Sequence, residues 1–295
     1  MVIQKERNLD AFLARFFSES TIRSFIKNQD SAHPILKEFY HLMRESEIQF
    51  DGSTYRDLFE FAFTHLKKNY RNEYIYKNAI AKNILLGKHS LNTSFMLQEF
   101  RIGKCKADTL VLNGTANVYE IKSELDSLDR LQKQIDTYTQ VFDMVHVITY
   151  PGQGEKIKQV VPKSIGVMEL SRKNSISILR EAKSGKKNIV PSMLFDSLRK
   201  SEYQAIIRDY YGHEPIVPNT QAYQVYKDLF VKIKPSEAHD LAVTYLKKRG
   251  DSILLKDFIS SVPECFKSLS ISAHFSKDEI DEISKLFNSD LPIAG

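Results

Sequence analysis

Cysteine is scarce in this chain: Cys105 and Cys265 are the only two among 295 residues, and no Cys-x-x-Cys pair occurs. A disulfide framework and a thiolate zinc site are both excluded by that usage. No run approaches the ~20 consecutive apolar residues of a membrane-spanning helix. The start, MVIQKERNLDAFL, lacks a secretory apolar segment, so the expected compartment is the cytoplasm. Repeats and low-complexity tracts are absent too, and Ser184-Gly185-Lys186-Lys187 lacks the spacing of a phosphate-binding P-loop, which leaves it a turn. What is present is 42% hydrophobic and 27% charged residues, a composition that buries a sizeable core in a chain long for one domain.

The net charge of +5 is modest, but it is unevenly spread. Residues 151 to 200 hold eleven Lys/Arg against four Asp/Glu, more positive charge than the whole chain carries net. Lys156, Lys158, Lys163, Arg172, Lys173, Lys183, Lys186 and Lys187 form either a solvated lysine-rich surface or a path for a phosphate backbone, a contact that weakens with salt.

The most informative stretch is CKADTLVLNGTANVYEIKSELDSLDRLQKQIDTYTQVFDMVHVITY, residues 105 to 150. Asp108 lies in an apolar strand, Asn113-Gly114 supplies a tight hairpin turn, and the return strand is Ala116 to Lys122. Within it Val118, Glu120 and Lys122 share one face, while Tyr119 and Ile121 point the other way. A carboxylate and an ammonium therefore emerge side by side, next to the strand that bears a second carboxylate. Two carboxylates with a backbone carbonyl suit Mg²⁺ or Mn²⁺, which keeps waters as its remaining ligands. A compact lysine charge beside them suits the orientation of an attacking water and the stabilisation of charge on a phosphate. An amphipathic helix, Leu125 to Phe142, and an apolar strand, Met144 to Tyr150, complete the pattern.

These residues resemble the PD-(D/E)xK nuclease superfamily over roughly residues 65 to 170. The resemblance implies a restriction-endonuclease-like α/β core of order αβββαβ, a mixed central sheet flanked by helices. Asp108 takes the place of the aspartate, and Glu120-Ile121-Lys122 that of the E-x-K, with the Ile121 carbonyl as third metal contact. The proline that names the pattern is replaced by Ala107. Gln134 and Tyr138 resemble the Gln-x-x-x-Tyr signature of the RecB-like branch, which sits against the site and helps hold it or the nucleic acid. In the stripe of Leu128, Leu131, Ile135 and Phe142, Tyr138 also reads as plain core packing. The first-helix glutamate of that superfamily matches Glu73, which shares a predicted helix, 62 to 86, with Lys77. The alternative for this pair is a local i,i+4 ion pair. Lys77, Lys104 and Lys106 join Tyr138 as expected nucleic-acid contacts. Cys105, between Lys104 and Lys106, is a reactive thiol or, more simply, a strand residue.

Three regions follow from the texture: a helical region over 1 to 60, a nuclease-like core over 61 to 190, and a C-terminal helical region over 191 to 295. In the first, Asn8 or Asp10 and then Ser20 or Thr21 are expected helix caps, His33-Pro34 opens a third helix, and Asp51-Gly52 marks a break. In the last, Tyr203, Tyr210, Tyr211, Tyr223 and Tyr226 are either base-stacking platforms or core. The expected function is a Mg²⁺ or Mn²⁺ dependent nuclease acting on DNA. Two other readings stay open on the same fold: a catalytically silent nucleic-acid-binding or regulatory protein, and an RNA-directed nuclease.

Overall fold

Apolar residues at three- and four-residue spacing give five helices before the first strand: α1 (Val2–Arg15), α2 (Glu19–Lys27), α3 (Gln29–Glu45), α4 (Tyr55–Asn69) and α5 (Glu73–Ile80). They are seen in a computed structural model that describes residues 2–27, 29–86, 94–250, 253–273 and 275–292. Helix α1 starts ahead of the expected caps Asn8 and Asp10, and the hydroxyl that meets the first turn of α2 is that of Ser18, which accepts from the Thr21 N–H at 3.3 Å. Pro34 lies inside α3 and does not open it. The single helix expected over 62 to 86 is broken. Helix α4 ends at Asn69, Tyr70 leaves the helical region (φ −143°, ψ 78°), Asn72 is extended, and α5 then runs on as a π-helix, Ala81–Leu86. Asparagine, present at 69 and 72, is a weaker helix former than the apolar residues around it, which suits a break here; the Asn72 side chain makes no capping bond. Helix α4 begins with a capping box: the Asp57 N–H donates to the Thr54 hydroxyl at 3.1 Å, and the Thr54 N–H to the Asp57 carboxylate at 2.9 Å.

Period-two patterning then builds a six-stranded mixed sheet in the order β1 to β6. Strands β1 (Phe95–Ile102), β2 (Cys105–Leu112) and β3 (Ala116–Lys122) form an antiparallel meander. The β2–β3 connection is three residues, Asn113 to Thr115, with only Gly114 at positive φ (91°), so the expected two-residue turn is one longer. Helix α6 (Leu131–Tyr138) carries the chain to β4 (Met144–Thr149), parallel to β3, and α7 (Gly154–Val160) to β5 (Gly166–Leu170), parallel to β4. A further antiparallel strand, β6 (Ile176–Arg180), was not expected from its half-exposed residues. Helix α6 starts six residues later than the sequence suggests. The Ser123 N–H and hydroxyl both donate to Asp126, at 2.9 and 2.6 Å, and that turn holds the intervening chain outside the helix.

The remaining helices are α8 (Pro191–Asp196), α9 (Lys200–Tyr211), α10 (Asn219–Phe230), α11 (Pro235–Lys247), α12 (Ile253–Ser261), α13 (Lys267–Ser272) and α14 (Lys277–Leu286). The chain packs as two units whose limits cut across the three regions read from sequence. One takes in the described residues of Met1–Lys82, Arg172–Asn174 and Ser252–Gly295; the other, those of Asn83–Ser171 and Ser175–Asp251. Helix-rich texture does not say which core a helix joins: α12 to α14 pack with the N-terminal helices, whereas α8 to α11 belong with the sheet. The first unit has an aromatic core, in which the Phe59 ring meets Phe16, Phe17, Phe25, Phe266 and Phe287. No helix among the described residues is long and apolar enough to cross a membrane.

In the second unit, α11 is tied to the β2–β3 loop by polar contacts. Buried His239 accepts the Ala116 N–H at Nε2, 3.3 Å, which leaves Nδ1–H to donate to Asp240 at 3.0 Å. Asp143 accepts from Thr115 at 2.6 Å, from the Ser184 hydroxyl and from the Lys186 N–H at 3.0 Å, and Lys186 pairs with Asp240 at 2.5 Å. Burial first, and then the Lys186 charge, hold the His239 imidazole below its ordinary pKa, against the pull of Asp143 and Asp240. An imidazole neutral in the fold must take up a proton on unfolding in acid. Stability is therefore lost as pH falls through the unfolded-state value of about 6.5. Urea unfolding at pH 7.5 and pH 5.5 is expected to show a larger acid-side loss in wild type than in His239→Gln. Equal losses would remove His239 from the account.

Candidate active site

The register of the meander decides which side chains meet. Thr109 pairs with Tyr119, so Asp108 and Glu120 are the next residues opposite one another and share a face. Lys122 is two residues further along that face. The ladder opens here, and the Ile121 N–H donates to the Asp108 carboxylate (Oδ2) at 2.7 Å. Above this face lies α6. From it Gln134 Oε1 accepts from Lys122 Nζ at 3.0 Å, and the Tyr138 hydroxyl donates to Glu120 Oε2 at 2.8 Å. Lys122 Nζ is also 2.8 Å from Glu120 Oε1. Asp108, Glu120, Ile121, Lys122, Gln134 and Tyr138, six positions chosen from sequence, are thus brought together in one cluster.

Burial sets the electrostatics. Glu120 is 1% exposed and Lys122 7%, whereas Asp108 is half-buried and forms the open side. Loss of water pushes the Glu120 carboxyl above its ordinary range, against the opposing pull of the Lys122 charge and of hydrogen bonds from Lys122, Tyr138 and Gln134. Burial, with the adjoining Glu120 charge, raises Tyr138 well above an ordinary phenol, so it remains a donor. Both Glu120 oxygens are engaged, yet an ionised carboxylate offers about four lone-pair sites. The donor set is all oxygen on the acidic side, which suits a hard divalent cation.

Glu73, placed from sequence on a buried stripe, is exposed at the first residue of α5, because the chain restarts its helix there. It pairs with Lys77 at 2.6 Å, the local i,i+4 alternative. Lys77 is buried, so the expected nucleic-acid contact at this position is not on offer. Lys104 and Lys106 are exposed at the β1–β2 turn, and Cys105 between them is an ordinary strand residue whose sulfur lies 3.5 Å from the Thr137 hydroxyl. Of the tyrosines, Tyr203 and Tyr226 are core; Tyr210 and Tyr223 are exposed but bond to Glu237 and Asp196. The basic run is partly spent internally: Lys158 pairs with Glu155, Lys186 with Asp240, and Arg180 donates to three carbonyls.

One residue was not found from sequence. Gln98 pairs with Thr109 and Phe100 with Ala107, which sets Glu99 opposite Asp108, and carboxylate oxygens of the two lie within 4.8 Å. Glu99 has φ 54°, a conformation that costs a non-glycine residue about 1 kcal/mol, and pairs with Lys106 at 2.6 Å. Only strand register, invisible in a single strand's pattern, carries that signal.

Comparison with known proteins adds a relationship. A protein of unknown function from Silicibacter pomeroyi overlaps 43% of this chain and 87% of its own at 17% identity, with a TM-score of 0.29. Protein cII of Enterobacteria phage P4 is 27% identical over 107 residues, 36% of this chain; the match spans 40% of that protein's length. The family described as Bacteriophage P4 protein cII matches residues 66–261, which is well over half of the chain and includes Asp108, Glu120, Lys122, Gln134 and Tyr138. On that extent of match, the chain belongs to the Bacteriophage P4 protein cII family.

Proposed function

We propose that this chain is a metal-dependent nuclease that hydrolyses phosphodiester bonds in DNA on a PD-(D/E)xK, restriction-endonuclease-like core. The observation that supports it is the convergence of Asp108, Glu120, Lys122, Gln134 and Tyr138 on one sheet face, where α6 holds the buried lysine and glutamate from above. Asp108 and Glu120, with the Ile121 carbonyl, are the oxygen ligands for Mg²⁺ or Mn²⁺. When bound, such an ion supplies an activated water and neutralises phosphate charge. Lys122, fixed between Glu120 and Gln134, orients the attacking water, takes part in its deprotonation and faces the charge that builds on phosphorus. Tyr138 keeps Glu120 in one orientation: its hydroxyl lies 2.8 Å from Glu120 Oε2 and 2.9 Å from the Lys106 carbonyl, and its single proton is shared between the two acceptors.

A second reading draws on the near-complete burial of Glu120 and the engagement of both its oxygens: a closed polar network in a nucleic-acid-binding or regulatory protein without turnover. One panel separates the two. Purified protein is incubated with circular single-stranded DNA, supercoiled plasmid and structured RNA, each with Mg²⁺, Mn²⁺ or EDTA. Nicking or linearisation of the DNA circles that needs the cation is the expected result, and the circles distinguish internal cleavage from trimming of ends. Binding in EDTA with no products under Mn²⁺ supports the silent reading, and products from RNA alone move the substrate to RNA.

A further inference from the structure

The β1–β2 hairpin puts more positive charge beside the cluster than Lys104 and Lys106 alone. Arg101 pairs with Lys106 in register, and Lys106 precedes Asp108 by two residues, so Arg101, Lys106, Asp108, Glu120 and Lys122 all stand on the face that α6 covers. The two-residue turn, Gly103-Lys104, is made with Gly103 at φ 54° and leaves Lys104 exposed at the tip. Helix α6 is stitched to this hairpin: the Tyr138 hydroxyl reaches the Lys106 carbonyl, Cys105 meets Thr137, and Thr137 bonds back to the Lys133 carbonyl at 2.9 Å. Lys133, exposed and four residues before Thr137 on α6, shares that side of the helix by i,i+4 spacing and so joins the same margin. Of these four cations only Lys106 has an acidic partner, Glu99; among the described residues Arg101, Lys104 and Lys133 form no ion pair. A surface that merely solvates itself tends to alternate signs, whereas this margin holds like charges together.

We propose that Arg101, Lys104, Lys106 and Lys133 form the track on which a nucleic-acid phosphate backbone lies as it enters the Asp108–Glu120–Lys122 cluster. The inference rests on the nuclease reading for its direction, since the track ends at the cluster. Along β2 Lys106 stands about 7 Å from Asp108 at strand spacing, with Lys104 beyond it in the turn, a scale that fits a few successive phosphates on one strand. Lysine heads and a guanidinium on an open surface bind phosphate without reading base edges, so recognition here is independent of sequence. The dense basic run of 151 to 200 is a poorer candidate, because its strands β5 and β6 lie two and three strands beyond β3 in the sheet and several of its charges are already paired.

The test is binding in EDTA, so that cleavage plays no part. Fluorescence anisotropy with labelled single-stranded DNA, duplex DNA and RNA of one length, from 50 to 300 mM KCl, compares wild type, R101Q/K104Q/K133Q and the surface control K234Q/K285Q, with thermal unfolding of each as a fold check. The triple variant is expected to bind at least about tenfold more weakly near 100 mM salt, and its log–log salt slope to shrink by about 2 to 3 with an unchanged melting temperature, as loss of three phosphate contacts requires. The control is expected to match wild type. Unchanged affinity and slope in the triple variant overturn the track, as does equal competition by a poly-glutamate peptide of the same charge, which assigns the surface to an acidic protein. A reduced slope in a protein that cleaves nothing under Mn²⁺ sustains the track and sinks only the nuclease reading.

Discussion

Lys122→Ala is expected to abolish detectable cleavage, a fall of about 10²- to 10⁴-fold for loss of one positioned proton-transfer group, while Mn²⁺ still binds. Asp108→Ala is expected to lose cleavage and Mn²⁺ binding together. The contrast follows from placement. Asp108 is the half-buried carboxylate of the cluster, whereas the Lys122 ammonium, among the described residues, bonds to Glu120 and Gln134. Isothermal titration with Mn²⁺ at pH 8, alongside cleavage of a circular substrate, reads both quantities on the same preparations. The high pH matters because burial raises the Glu120 carboxyl, and removing the neighbouring ammonium raises it further. At pH 8 that carboxyl is best kept ionised and able to ligate. Equal Mn²⁺ affinity in the two variants would count against the assigned roles. Cleavage that survives Lys122→Ala would remove the lysine from the chemistry.

The parts of this site legible in sequence were those set by local rules. Alternation along β3 puts Glu120 and Lys122 on one face whatever the rest of the chain does, and i,i+4 spacing puts Gln134 above Tyr138 on one side of α6. Their meeting needs only that α6 cross back over the strand it follows, as a parallel β3–α6–β4 connection requires. Glu99 was not legible because its position depends on β1 register and on a positive φ that no residue type announces at a glutamate. The helix break ahead of Glu73 was not legible for the opposite reason: a continuous apolar stripe suggested one helix, whereas the chain leaves the helical region at Tyr70 and Asn72 before α5 begins. The division of the C-terminal helices between two cores was equally out of reach, since each has an apolar face and none specifies which neighbour covers it.

Lys122→Met is expected to lower the unfolding free energy by about 3 to 5 kcal/mol, the range for leaving one partner of a buried ion pair uncompensated. Glu120→Gln in the same chain should recover that loss in full: a neutral amide still accepts from Tyr138 and no longer carries charge into a site 1% exposed. Replacement of a buried pair by neutral groups of similar volume is often neutral or stabilising by about 1 to 4 kcal/mol, so the double variant is expected to be at least as stable as wild type. The pH dependence has a fixed sign. A carboxyl raised by burial is cheapest to bury when protonated, so the Lys122→Met penalty should be small near the ordinary carboxylate value of about 4.3 and grow as pH rises through the raised folded-state value. Urea unfolding of wild type, both single variants and the double variant at pH 5 and pH 8 closes the cycle. A double variant that is stable and inert would mean that the pair costs stability and is held in place by Gln134 and Tyr138 for its chemistry, as expected where an active site opposes folding. A double variant several kcal/mol less stable than wild type would instead make Glu120 and Lys122 part of what keeps the sheet together, and the case for turnover would then rest on Asp108 alone.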